Sequence, residues 1–177
     1  MTPEEYCQRK AAGSGSSFYY SFLFLPPERR RAITALYAFC REVDDVVDEC
    51  PDPQLARAKL AWWRSELAAT YAGRPSHPVT QSLAPATRSF NLPQELLAEV
   101  IDGMQMDLDQ NRYLDFEGLG LYCHRVAGVV GWLALITLQT QAVIEALPID
   151  YDVPPPPQPT RVPGSFGNAF PDPNKDG

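Results

Sequence analysis

The residues best equipped for chemistry lie in the stretch Arg41-Glu42-Val43-Asp44-Asp45-Val46-Val47-Asp48-Glu49. Asp44 and Asp48 are four residues apart and share one face of a helix, and Arg41, three residues before Asp44, joins that face. Two stacked carboxylates lining a cavity are a ligand set for Mg²⁺. That ion keeps several waters and is held by one or two carboxylates plus phosphate oxygens. The bland alternative is a solvated acidic face that ends a core helix. Against it stands the run before the motif, residues 32–40 (AITALYAFC), which is apolar nearly all the way round. Such a helix is buried, so the charges beyond it must face something that satisfies them.

Three further groups of residues bear on the same chemistry. Ser14, Ser16 and Ser17 lie in a Ser/Gly segment (GSGSS) whose hydroxyls and close backbone suit phosphate oxygens, although such a segment is commonly just a loop. In LYCHRVAGVVG, the small residues Ala127, Gly128 and Gly131 recur at helical spacing. They make either a close helix–helix contact or the wall of a channel for a long hydrocarbon. Tyr122 lies at one end of that groove, where its hydroxyl would anchor a polar head or manage a proton, or serve as an ordinary buried hydrogen-bonder. A third stripe, Asp102, Gln105 and Asp109, is spaced less cleanly and ranks below the first motif.

Helices must position these groups. Thr2-Pro3-Glu4-Glu5 is a helix start that runs to about Gly13. Pro26-Pro27-Glu28 opens the helix that carries the acidic motif to about Glu49, and Pro51-Asp52-Pro53 breaks it. Residues 55–71 read as an amphipathic helix with Leu60, Trp63 and Leu67 on one stripe. Further helices are expected at 79–90, at 93–113 and from Gly118 onward, with residues 133–147 able to continue as helix. No alternating segment of useful length suggests a strand, so the fold class is all-α. The partition expected is a helical domain over 1–147 and a Pro-rich, disordered tail over 148–177.

Composition narrows the partners. A net charge of −7 argues against sequence-independent nucleic-acid binding, which needs a Lys/Arg surface. The four cysteines show no paired spacing, and reduced, buried thiols in a cytoplasmic protein account for them. Arg9-Lys10 ahead of an apolar stretch imitates a secretion signal, but the stretch runs into Pro26-Pro27-Glu28 without a cleavage site. The apolar run 126–136 is shorter than the ~20 residues that span a bilayer. No signal peptide and no transmembrane helix are therefore expected, although peripheral contact with a membrane surface is compatible with the chain.

Taken in order, GSSFYYSFLFLPPERRRAITALYAFCREVDDVVDE and YCHRVAGVVG resemble the squalene/phytoene synthases, the head-to-head prenyl synthases. The resemblance covers roughly residues 5–131 and is nearest to the bacterial presqualene diphosphate synthases of hopanoid pathways. It implies an all-α isoprenoid (terpenoid) synthase fold around a central cavity. It also implies condensation of two farnesyl diphosphates to presqualene diphosphate, with Mg²⁺ bound to the substrate diphosphate. By position, it implies that Asp44 and Asp48 are metal ligands and that Arg41 contacts diphosphate. It further implies that Ser16, Ser17 and Phe18 lie at the mouth of the substrate site, that Tyr37 and Tyr122 stand near the carbocation, and that Ala127, Val130 and Gly131 line the chain pocket.

The sequence also departs from the family's pattern. Ser14 stands where many relatives carry a histidine. The second Asp-rich motif expected beyond the YCHRVAG helix finds no match; Asp150 and Asp152 are two apart in a Pro-rich stretch. The expectation is thus of half a metal cage, a truncated chain of low or no activity, and association through apolar faces on helices 28–49 and 121–131. Two alternatives stay open. One is phytoene-type condensation of geranylgeranyl diphosphate; the other is a non-catalytic helical binding protein derived from the family.

Overall fold

The helix that carries the acidic motif is the centre of the molecule. In the computed structural model, which describes residues 1–110 and 112–138, it spans Pro27–Asp48. In chain order the helices are α1 (Pro3–Gly13), α2 (Ser17–Phe22), α3 (Pro27–Asp48), α4 (Pro53–Tyr71), α5 (Pro78–Ser89), α6 (Gln94–Asp109), α7 (Phe116–Cys123) and α8 (Val129–Leu138). A π-helical turn, His124–Gly128, joins α7 to α8. All regular structure among the described residues is helical, and these residues belong to a unit covering Met1–Ala146. The Pro-rich tail and the pair Asp150/Asp152 lie outside the described residues.

α3 packs against α1, α2, α4, α5, α6 and α8, which explains its apolar circumference. Leu36, Phe39 and Val43 are fully buried along it. The stripe read on α4 does what its spacing implies: Leu60, Trp63 and Leu67 are buried, and the Trp63 ring meets Phe39 edge-on with centroids 5.8 Å apart.

α1 begins as its sequence requires. Glu5 N–H donates to Thr2 Oγ1 at 3.2 Å, and Thr2 N–H donates to Glu5 Oε2 at 2.8 Å, a reciprocal capping box with Pro3 at the first helical position. Thr2→Ala is expected to cost about 1 kcal/mol of stability, read as a lower denaturant midpoint in urea unfolding. Gly15, with φ of +68°, turns the chain between α1 and α2, a conformation open to glycine.

Three expectations need correction. α6 stops at Asp109 rather than reaching Tyr113, because Gln110 is extended (φ −155°, ψ 137°). The apolar run 126–136 is only part of a longer helix. α7, the π turn and α8 form one helix, Phe116–Leu138, of 23 residues, long and apolar enough by length and composition to cross a membrane. Counting uninterrupted apolar residues misses this, since only Glu117 and Arg125 interrupt it with charge. Of the cysteines, all free, Cys7 is buried, Cys40 and Cys50 are half-buried, and Cys123 is exposed.

The apolar face expected on the last helix is present. Phe116, Leu121 and Trp132 are exposed along it. That of α3 is largely covered by its neighbours.

Candidate active site

Tyr37, Arg41, Asp44 and Asp48 recur at helical spacing and form one face of α3. Arg41 forks between two carboxylates, Asp44 Oδ2 at 2.5 Å and Asp45 Oδ1 at 2.7 Å. Asp45 also takes Lys10 Nζ of α1 at 2.6 Å, and Lys10 reaches Glu42 at 3.2 Å. The Tyr6 hydroxyl donates to Glu42 at 2.8 Å. The acidic motif therefore divides. Glu42 and Asp45 are neutralised by α1, whereas Asp44 and Asp48 point along the Tyr37–Arg41 face. Asp48 stands exposed at its end, and its charge acts on both Arg41 and Asp44.

Burial holds the Asp44 carboxyl above the usual carboxylate range. Arg41 offsets this in part, while Asp48, Asp45 and Asp107 add to it. A half-buried carboxylate surrounded by negative charge gains from a cation brought beside it. Asp44 and Asp48 offer hard oxygen donors on one face, which fits Mg²⁺. Among the described residues no group of three His, Cys, Asp or Glu could hold a metal. The remaining ligands would be water and phosphate oxygens.

The Ser/Gly segment lies at the Tyr37 end of this face. The Tyr37 hydroxyl donates to Ser14 Oγ at 3.1 Å, and Ser14 Oγ donates to the Ala11 carbonyl at 2.7 Å. Ser16 caps α2, accepting from Phe18 N–H at 3.2 Å, which leaves its own hydroxyl proton for another partner. Ser17 and Phe18 open α2 and are exposed. Phe22, one turn on, meets the Tyr37 ring edge-on at 5.8 Å. Beside Arg41, a cleft of about 400 Å³ between α1 and α3 gathers Arg9, Lys10 and Ser14.

The Asp107 carboxylate of α6 acts on Asp44. It also adds to the burial that pushes the Tyr122 phenol up to about 12. Ala127 and Gly131 lie exposed on the helix of Tyr122, with Val130 half-buried. A side chain added at Gly131 would meet nothing within 4 Å among the described residues, so no close helix–helix contact between them accounts for that glycine.

The stripe Asp102, Gln105 and Asp109 does not join this site. Asp102 pairs with Arg64 and, at 3.8 Å, with Arg125; Asp109 pairs with Arg57 at 2.7 Å. Gln105 Nε2 donates to Asp109 at 3.3 Å. Asp107, between them, is the carboxylate whose charge acts on Asp44 and Tyr122, and spacing along the sequence does not single it out. The signal available is its i, i+4 relation to Gly103, where α6 approaches the π turn. Lys10 shows in the sequence only as half of a basic pair near the start of the chain.

The family model for squalene/phytoene synthase matches residues 11–149, past Trp132, beyond the end of the resemblance visible in the sequence motifs. Presqualene diphosphate synthase of Rhodopseudomonas palustris is 40% identical over 135 residues, covering 76% of this chain and 48% of the relative. The 15-cis-phytoene synthase of Synechocystis sp. is 36% identical over 134 residues, covering 76% and 40%. Among solved structures, squalene synthase HpnC from Alicyclobacillus acidocaldarius superposes with a TM-score of 0.69 at 32% identity, over 76% of this chain and 51% of that one. A dehydrosqualene synthase also superposes with a TM-score of 0.69, at 28% identity, over 76% and 47%. The chain spans about half the length of the curated relatives it matches. Its matched residues, its all-α isoprenoid synthase fold and the order of its motifs lead to one assignment: the chain belongs to the squalene/phytoene synthase family.

Proposed function

We propose that this chain serves head-to-head condensation of two prenyl diphosphates, with farnesyl diphosphate giving presqualene diphosphate as the first reading. The observation that carries it is the α3 face Tyr37–Arg41–Asp44–Asp48, with the Ser/Gly segment at its Tyr37 end and the charge of Asp107 acting on Asp44. Arg41 presents a donor fork to phosphate oxygens once it exchanges a carboxylate for them. Mg²⁺ held by Asp44 and Asp48 would offset the charge that builds on the departing diphosphate. Phe18, Tyr37 and Tyr122 offer π faces to an allylic cation. In the reaction, the C1–O bond of the donor breaks and its electron pair leaves with the diphosphate. The alkene of the acceptor attacks C1, and loss of a proton closes the cyclopropane. Ala127, Val130 and Gly131 offer an open apolar wall for the chain of the substrate.

The phytoene synthases of Arthrospira platensis and Synechocystis sp., at 35% and 36% identity, favour a second reading with geranylgeranyl diphosphate. The test is incubation with Mg²⁺ and either labelled substrate. Expected is a C30 product from farnesyl diphosphate, lowered roughly 100-fold or more in Asp48→Ala. A C40 product alone would select the second reading. Absence of Mg²⁺-dependent binding of both substrates would defeat the proposal.

A further inference from the structure

Asp45 carries two cations, one from each of two helices. Its Oδ1 accepts from Arg41 of α3 at 2.7 Å, and its Oδ2 accepts from Lys10 Nζ of α1 at 2.6 Å. Cys7 and Ala11, on either side of Lys10 in α1, are buried, and α1 packs along α3. The ammonium therefore reaches α3 from a fixed base. Lys10 also reaches Glu42 at 3.2 Å, and the Tyr6 hydroxyl donates to the same Glu42 carboxylate at 2.8 Å. Glu42 thus keeps a partner without Lys10, whereas Asp45 would be left to Arg41 alone.

Ion pairs on an open surface contribute little, because water and salt screen them. This one is sheltered: the Lys10 side chain is 25% exposed and that of Asp45 15%. Arg41 is the more open end of the chain of charges, and it lines the cleft that also holds Arg9, Ser14 and Asp45. Its guanidinium is shared with Asp44 at 2.5 Å. Two cations on one carboxylate repel each other and divide its charge. Lys10 therefore loosens the hold of Asp45 on Arg41.

We propose that Lys10 is a positioning residue: by holding Asp45 from α1, it leaves the Arg41 guanidinium able to exchange a carboxylate for phosphate oxygens. The inference rests on the prenyl diphosphate reading for the identity of the anion. For its geometry it rests on the Lys10–Asp45–Arg41 ion pairs. Without Lys10, Asp45 carries an unshared negative charge at the wall of the cleft. It then holds Arg41 more tightly and repels an incoming diphosphate. Both effects act on binding, and neither reaches the reacting carbons.

Calorimetric titration with inorganic diphosphate and Mg²⁺ tests this, on variants whose melting curves show them folded. Lys10→Met keeps the apolar stem and is expected to weaken binding roughly 10-fold. Lys10→Arg should restore most of the affinity. In an Asp45→Asn background, adding Lys10→Met should change the affinity less than about twofold, because the carboxylate through which Lys10 acts is gone. In turnover of farnesyl diphosphate, the loss should fall on KM, with kcat little changed. A loss that persists in the Asp45→Asn background would put Lys10 on the phosphate itself and overturn the proposal. Wild-type affinity in folded Lys10→Met would overturn it as well. If the wild-type chain binds no diphosphate, the functional reading falls, and a second measurement decides. Rotation of the Arg41 guanidinium about its Nε–Cζ bond, followed by NMR with Arg41→Lys assigning the resonance, should slow in Lys10→Met. It should not slow when Asp45→Asn is added, and an unchanged rate in Lys10→Met overturns the proposal.

Discussion

Glu66→Ala is expected to destabilise the fold by roughly 3–5 kcal/mol, a large share of what holds a domain of this size together. Glu66 lies on α4 and is 5% exposed. Its carboxylate accepts from Ser76 N–H at 2.6 Å, Ser76 Oγ at 2.6 Å, His77 N–H at 2.8 Å and Thr80 Oγ1 at 2.5 Å. These donors surround the N-terminus of α5, where the helix dipole favours an anion. Burial alone would raise the Glu66 pKa, but the hydroxyls of Ser76 and Thr80 and the amides of His77 and Ser76 pull it from 4.5 to about 2. A shift of that size corresponds to about 3 kcal/mol of preference for the ionised form in the folded state. Alanine removes the acceptor and leaves Ser76 N–H, Ser76 Oγ and His77 N–H facing a void, while Thr80 Oγ1 keeps the His77 carbonyl at 2.9 Å. Because the folded pKa is depressed, the stabilisation is present above about 4.5 and is lost as pH falls toward about 2. Urea unfolding of wild type and Glu66→Gln at several pH values checks this. Their midpoints should converge through that window, and equal midpoints at pH 7 would refute the assignment.

Glu66 also marks a limit of what the sequence displays. Its partners lie ten to fourteen residues away in a loop and a helix start, and no periodicity announces them. The legible features were local. The Thr2 capping box is written in four consecutive residues, the burial of α3 in its apolar circumference, and the α4 stripe in its spacing. The Tyr37–Arg41–Asp44–Asp48 face comes from helical geometry alone. Assembly between helices was not legible. Lys10 meets Asp45 across 35 positions, and α6 meets the π turn where Gly103 approaches Val126 and Arg125. The π turn is a single inserted residue, too small a change to disturb a hydrophobic pattern. The stripe Asp102, Gln105 and Asp109 had better spacing than Asp107, yet it pairs with arginines and with itself on the outer side.

Asp44→Asn is expected to raise the melting temperature at neutral pH while abolishing most Mg²⁺-dependent binding of a prenyl diphosphate. The two effects have one cause. Burial raises the Asp44 pKa, Arg41 lowers it in part, and Asp48, Asp45 and Asp107 raise it further. The net direction is upward, so ionised Asp44 is less comfortable in the folded chain than in the unfolded one. Asparagine removes that cost and keeps the shape, and Arg41 retains Asp45 at 2.7 Å. The sign fixes the pH dependence. An acid whose folded pKa is raised costs nothing below its unfolded value of 3.8 and its full amount above the folded one. The advantage of Asp44→Asn should therefore be absent below about pH 3.8, grow as pH rises through the window, and level off above it. Thermal melts across pH read the first effect, and calorimetric titration with farnesyl diphosphate and Mg²⁺ reads the second. A variant that melts lower than wild type at pH 7 would mean that the Arg41 pair, not the surrounding carboxylates, governs Asp44. A variant that melts higher and still binds as wild type would detach the carboxylate face from the diphosphate. Higher stability with lost binding is the combination expected of a carboxylate kept under electrostatic strain until a cation arrives with its ligand.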